Sequence, residues 1–362
     1  MDYKEILKEQ FHNVVDLDQI DEISKETYEL SEGLSESFSL EKILESTLNG
    51  ESFFHNQELI SGIKDLALYE IRNAMILGVE ILIICVVIGL LKNLSASFGS
   101  KSMSDISMLV CTMVIIGISM NSFRIVYQLA LDSVSVMVST MEILTPILLG
   151  IMISTGAVTS GSILNPVIIG SVTGFGVILK KIILPALFVA TILGLINCLT
   201  EKDYVNKLGK LIRNASLIVT GLIIAVLTGI ITIQGLITET SDSLLMSAAK
   251  YSLSTFIPIV GGFTSDTIEL FLRCMGTIKN VVGVFAVITL VLIVVVPLIK
   301  ILIIALIYKL TAAVTEPVSE SKISDGLNEM GSCLISMASI MFFCALLFIM
   351  FVSIILRIGG NA

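Results

Sequence analysis

Residues 198–219 read CLTEKDYVNKLGKLIRNASLIV, and how they are read decides the fold. Lys202, Lys207, Lys210 and Arg213 are gathered between two apolar walls, IILPALFVATILGLINCL (182–199) and ASLIVTGLIIAVLTGIITIQG (215–235). On a helix, Val205, Leu208, Leu211 and Ile212 share one face, and Lys202, Lys207, Lys210 and Asn214 share the other. Each wall reaches the roughly 18–20 residues that cross a hydrocarbon core. The stretch therefore reads as a basic amphipathic connector at a cytoplasmic membrane surface, held by the positive-inside bias and by anionic lipid. The same cations suit a docking surface for a protein, and the two roles are compatible.

Composition agrees. Of 362 residues, 55% are hydrophobic and 15% charged, with mean hydropathy +0.96. Soluble domains are about 25% charged, so this chain lacks the polar surface of a water-soluble globule. The expected class is an all-α polytopic membrane protein with roughly six to eight passes, including broken or re-entrant helices and interfacial amphipathic ones. Charge divides the chain in two. Residues 1–73 hold 6 Lys and Arg against 17 Asp and Glu, net −11, and the remainder holds 16 against 14, net +2. An acidic, extramembrane region over 1–70 thus precedes a multi-span domain over 71–362. Its composition suits a small helical domain and also a segment that orders on a partner. Nucleic acid is excluded as a partner, because phosphate contacts need Lys and Arg. The opening MDYKEILKEQ carries no signal-peptide pattern, so either the tail needs none or a signal lies upstream.

The first apolar run is 74–91 and the second 106–123. RIVYQLALDSVSVMVSTMEIL (124–144) alternates apolar and polar residues at helical period, as a helix does when lying on the membrane or packing against another. Only Lys180 and Lys181 separate the run ending at 179 from the wall starting at 182, too few residues for a hairpin loop. Lys180–Lys181 and the 202–213 cations also bracket one apolar stretch, which a simple span cannot accommodate with both ends cytoplasmic. A re-entrant or interfacial element near 163–199 is expected, with Pro166 and Pro185 as break points. Pro258, Gly261 and Gly262 in IPIVGG suggest a hinge, and Pro297 a further break. Residues 316–331 read as an acidic loop before a last span over about 332–358. Lys92, Lys101 and the 202–213 cluster favour the cytoplasm, which places the acidic tail outside, although Lys64 and Arg72 balance the count at the first span.

Several chemistries lack their residues. Both histidines, His12 and His55, lie in the tail, so neither an HExxH metalloprotease nor a histidine-activated serine protease fits the membrane body. There is no GxxxxGK[ST] phosphate loop and no CxxC pair. No enzyme, cofactor or metal site is expected, and the six cysteines read as small hydrophobes. Glu80, Glu142, Lys300 and Lys309 are the candidate intramembrane polar residues, since ionic groups in spans are costly and often functional. The lysines suit snorkelling to the interface, a polar lining, or inter-subunit pairs with Glu80 or Glu142. Gly170, Gly174 and Gly176 form a small-residue pattern that permits close helix approach.

The stretches LNPVIIG, LTEKDYVNKLGKLIRN, FIPIVGGFTSDTIE, IKILIIALIYKLTAAVTEP and ISDGLNEMG, in that order, resemble the stage III sporulation protein AE family of endospore-forming bacteria. The resemblance covers about 74–358. It implies a multi-pass protein of the mother-cell membrane around the forespore, within a secretion-like channel complex whose other members include a cytoplasmic ATPase and ring-forming proteins. It supplies no catalytic residues. Family members often carry a cleavable signal before an exported amino-terminal region, which would put 1–70 between the two membranes. The competing reading of the residues is a self-sufficient small-molecule permease, which would transport solute alone.

Overall fold

Hydrocarbon offers backbone N–H and C=O groups no partners, so a segment there must satisfy them internally, as a helix does. The computed structural model describes residues 17–30, 57–98, 101–155, 157–199, 205–256, 261–317 and 321–357. Among these, helices follow one another with short turns between: α1 Leu17–Leu30, α2 Gln57–Phe98, α3 Lys101–Ser154, α4 Val158–Ile178, a π-helical turn Leu179–Ile183, α5 Leu184–Asn197, α6 Asn206–Phe256, α7 Gly261–Thr315 and α8 Ser321–Arg357. Six stretches are long and apolar enough to cross a membrane: Leu68–Leu90, Leu109–Ser154, Val158–Asn197, Asn206–Ile237, Leu272–Thr315 and Ser321–Arg357. The protein is an all-α polytopic membrane protein.

Serine and threonine enter these helices at little cost by donating back to a carbonyl one turn earlier. Ser133 donates to Leu129, Thr191 to Leu187, Ser216 to Ile212 and Thr220 to Ser216 at 2.7–2.9 Å. The 124–144 stretch is the middle of α3 and not a separate surface helix. Its hydroxyls explain the alternation. Ser133 and Thr140 are buried, Ser135 accepts from Lys180 and Glu142 from Thr173, while Gln128 and Asp132 pair with each other on the exposed side.

The chain does not turn back between 163 and 199. α4, the π turn and α5 form one helical rod of 40 residues, about 60 Å at 1.5 Å per residue. Pro166 lies inside α4, Pro146 inside α3 and Pro297 inside α7, and none of them ends its helix. The irregularity falls just before Pro185. Leu184 N–H reaches back five residues to Leu179 O, and Pro185 then occupies the first turn of α5. A proline lacks its own donor and crowds the preceding turn, and the wider π turn absorbs both defects. Lys180 turns inward and Lys181 outward there, so the pair sits at a helix defect within the rod. Gly261 and Gly262 open α7, while Pro258 lies outside the described residues.

α7 and α8 form the most extensively packed pair and run antiparallel. Gly331 faces Ala305 and Lys309, and Gly283 faces Leu356. α3 packs against both and α2 against α7, while α5 and α6 join through α8. Tyr308, Phe123, Phe175, Phe285, Phe348 and Phe351 are buried in this core, and Phe188 stacks against Phe123 and Tyr127 with ring centroids 5.8 and 4.9 Å apart. α1, from the acidic region, packs Ile20 and Ile23 into the same core beside α3 and α7. α2 starts at Gln57 and crosses residue 70 without interruption. Of the small-residue pattern, Gly176 alone is at a close approach, where an added Cβ would lie 2.6 Å from Val138. Gly170 and Gly174 face open space.

Candidate functional site

The basic stretch at 202–213 does not form a separate connector helix. A turn at Cys198–Leu199 ends α5, and from Asn206 the chain is already α6, so Lys207, Lys210 and Arg213 occupy the first turns of a membrane helix. Lys202 lies outside the described residues. Likewise, 321–331 is not a loop but the first three turns of α8. Two segments read from their charge as connections are therefore helix ends, and they meet.

Glycines permit the meeting. A Cβ on Gly209 of α6 would lie 3.1 Å from Ala190 O and 3.8 Å from Gly194 N of α5, and one on Gly194 would lie 3.2 Å from Glu329 Cγ of α8. A Cβ on Gly326 would overlap the Cys198 sulfur. At this junction Arg213 Nη1 donates to Glu329 Oε1 at 2.5 Å, both side chains being largely covered, 16% and 12% exposed. Lys309, from the last turns of α7, donates through Nζ to Asn328 Oδ1 at 3.1 Å and Ser332 Oγ at 3.0 Å, and Ser324 Oγ donates to Ala312 O at 2.7 Å. A polar cavity of about 100 Å³ opens here between Asn197, Asn206, Lys210, Lys322, Asp325 and Glu329. Cys198 Sγ lies 3.2 Å from Lys322 O. Burial first, and the Asp325 carboxylate second, push its thiol up to about 11. This favours the thiol over the more nucleophilic thiolate.

The three described cations of the opening stretch thus separate by role. Arg213 turns inward and ties α6 to α8, whereas Lys207 and Lys210 stand exposed. The junction is a polar, charged end of the bundle, suited to holding four helices and presenting positive charge. Among the described residues no group of three or more His, Cys, Asp or Glu is placed to hold a metal.

The candidate intramembrane residues lie apart. Lys300 pairs with Glu70 at 3.3 Å, Glu142 accepts from Thr173 Oγ1 at 2.7 Å, and Glu80 is exposed. Within the chain neither lysine meets Glu80 or Glu142. Sequence reasoning missed Glu329, Glu70 and the buried Lys279. Glu329 and Glu70 had been assigned to segments outside the spans, and Lys279 sits in a mixed stretch whose period did not reveal its inward face.

The fold and this junction define a class: a multi-helix membrane protein closed at one end by an ion-paired, polar helix junction. The comparisons give the family. A sequence model of stage III sporulation protein AE matches residues 38–359, and the chain belongs to that family. It is 27% identical over 316 residues to the stage III sporulation protein AE of Bacillus subtilis (strain 168), covering 86% of this chain and 78% of that one. No solved structure matches.

Proposed function

We propose that the protein is a non-enzymatic membrane subunit of a secretion-like channel complex that links mother cell and forespore and is needed for forespore development. It sits in the mother-cell membrane around the forespore. The family membership supports a role in sporulation. The observation that carries the subunit role is the division of labour at the junction. Arg213 is consumed by Glu329, while Lys207 projects exposed from the first turn of α6 and Lys210 stands exposed at the rim of the polar cavity. On this reading the 202–213 end faces the cytoplasm, where an ATPase of the complex docks, and ring-forming partners lie on the other side.

Co-purification from sporulating cells tests it. Charge reversal of Lys207 and Lys210 together is expected to lower recovery of the ATPase about tenfold, the size expected when rim charges that steer association are inverted. Lys207→Glu alone should lower recovery in the same direction with thermal stability unchanged, because that side chain is exposed and does not line the polar cavity, whereas Lys210 also lies beside Asp325 and Glu329. Arg213 is left intact, since its loss would disturb the helix junction itself. Recovery equal to wild type would remove the docking role.

A further inference from the structure

Most ionic groups within the apolar stretches are answered inside the chain: Glu70 by Lys300, Glu142 by Thr173, Arg213 by Glu329, Lys180 by Ser135. Glu80 and Arg124 are not, and neither are the exposed Arg72 and Lys181. Glu80 and Arg124 are both exposed, and neither makes a hydrogen bond or ion pair among the described residues. Glu80 stands near the middle of Leu68–Leu90, on a face it shares with Ile76, Val79, Ile83 and Val87, which are 42–56% exposed. Arg124 lies within Leu109–Ser154, beside Ile125, which is 63% exposed. A carboxylate on an otherwise apolar face is costly in hydrocarbon unless a cation meets it.

The two groups lie about two helical turns apart in depth. Gly78 abuts Ile307 and Thr311 of α7, and Tyr308 hydroxyl lies 3.5 Å from Ser119 O, so residues 78 and 119 sit at one level. α2 and α3 run in opposite directions from there, which puts Glu80 level with about residue 117. Arg124 is then seven residues, about 10 Å, away along the axis. Helical side chains lean toward their own N-terminus, and in antiparallel helices that tilts Glu80 and Arg124 toward each other's level. The reach of a glutamate and an arginine closes the remaining gap.

We propose that the α2–α3 hairpin is a self-association surface, on which Glu80 of one copy pairs with Arg124 of the next. Rotation about the membrane normal conserves depth, so copies arranged around such an axis bring the two groups together. The contact is heterologous, α2 of one copy against α3 of its neighbour, and repeats around a ring. The exposed apolar residues beside both charges supply the packing around the pair.

The test uses full-length chain with two different tags, co-expressed, extracted in mild detergent and captured through one tag. Wild type is expected to retain the second tag. Glu80→Gln, which keeps the shape and drops the charge, is expected to lower capture about tenfold, as is Arg124→Gln, the size of losing one desolvated charge pair. Glu80→Arg and Arg124→Glu should each abolish self-capture alone and restore it when one tag carries the first and the other tag the second. Recovery in that mixture also shows that both variants fold. No self-capture by wild type, or capture unchanged by the glutamine variants, overturns the proposal. So does rescue only when both reversals sit in one chain, because that outcome assigns the pair to a single copy.

Discussion

Replacing Glu329 by alanine is expected to destabilise the helix bundle by about 2–4 kcal/mol, somewhat less than for breaking a fully buried ion pair, because both partners keep some exposure. The loss comes less from the missing attraction than from the stranded Arg213 guanidinium. It would be held between α5, α6 and α8 with too little water to solvate it and no carboxylate to meet it. Glu329→Leu combined with Arg213→Leu should cost clearly less than Glu329→Ala alone, since neither charge then remains. The chain provides its own reporter. It has no tryptophan, but four of its six cysteines are buried, so a thiol-reactive fluorescent dye followed during heating reads core opening directly. A Glu329→Ala variant that melts with wild type would show that the junction carries no stability.

The second large effect is expected at Gly331. An added Cβ there would lie 2.7 Å from Lys309 Cγ and 3.0 Å from the Ala305 carbonyl oxygen. The side-chain stem has little room and the backbone carbonyl none, so α7 and α8 must separate along their shared seam. Gly331→Ala is expected to cost about 1–3 kcal/mol, as overpacking does elsewhere. It should also pull Lys309 from Asn328 and Ser332. Gly174→Ala is the matched control. Nothing lies within 4 Å of its added methyl, so it should be neutral or slightly stabilising through helix propensity. The same chemical change thus has opposite signs at two helical glycines, and melting both variants with the same dye separates them. Equal melting points would mean that α7 and α8 are less closely apposed than the structure shows.

The membrane class and the number of spans were legible because hydrophobicity over about 20 residues reports directly on what faces lipid. Where helices begin was not. Hydropathy falls at Lys207–Arg213 and again at Ser321–Gly331, and both stretches look like connections, yet each is helix that continues into its span. A charged turn at the end of a membrane helix and a charged loop have the same composition. They differ only in whether the charges find partners, and here the partners are 116 residues apart, Arg213 and Glu329. Pro166 and Pro297 misled for a related reason. Proline's cost is local and readable, whereas the packing that holds a helix together around it is tertiary. Pro185 was read more nearly, since the helix does depart from α geometry beside it. At the candidate site the basic residues were found by composition. The split between Arg213, turned inward, and Lys207 and Lys210, turned out, needed the position of α8.

The most direct test of the account is the location of a fluorescent carboxy-terminal fusion through the sporulation cycle of the source organism. The account predicts enrichment at the engulfing septum and the membrane around the forespore, and no such pattern in vegetative cells. Even labelling of the whole envelope at every growth stage would contradict it, and a self-sufficient permease would then be the better description.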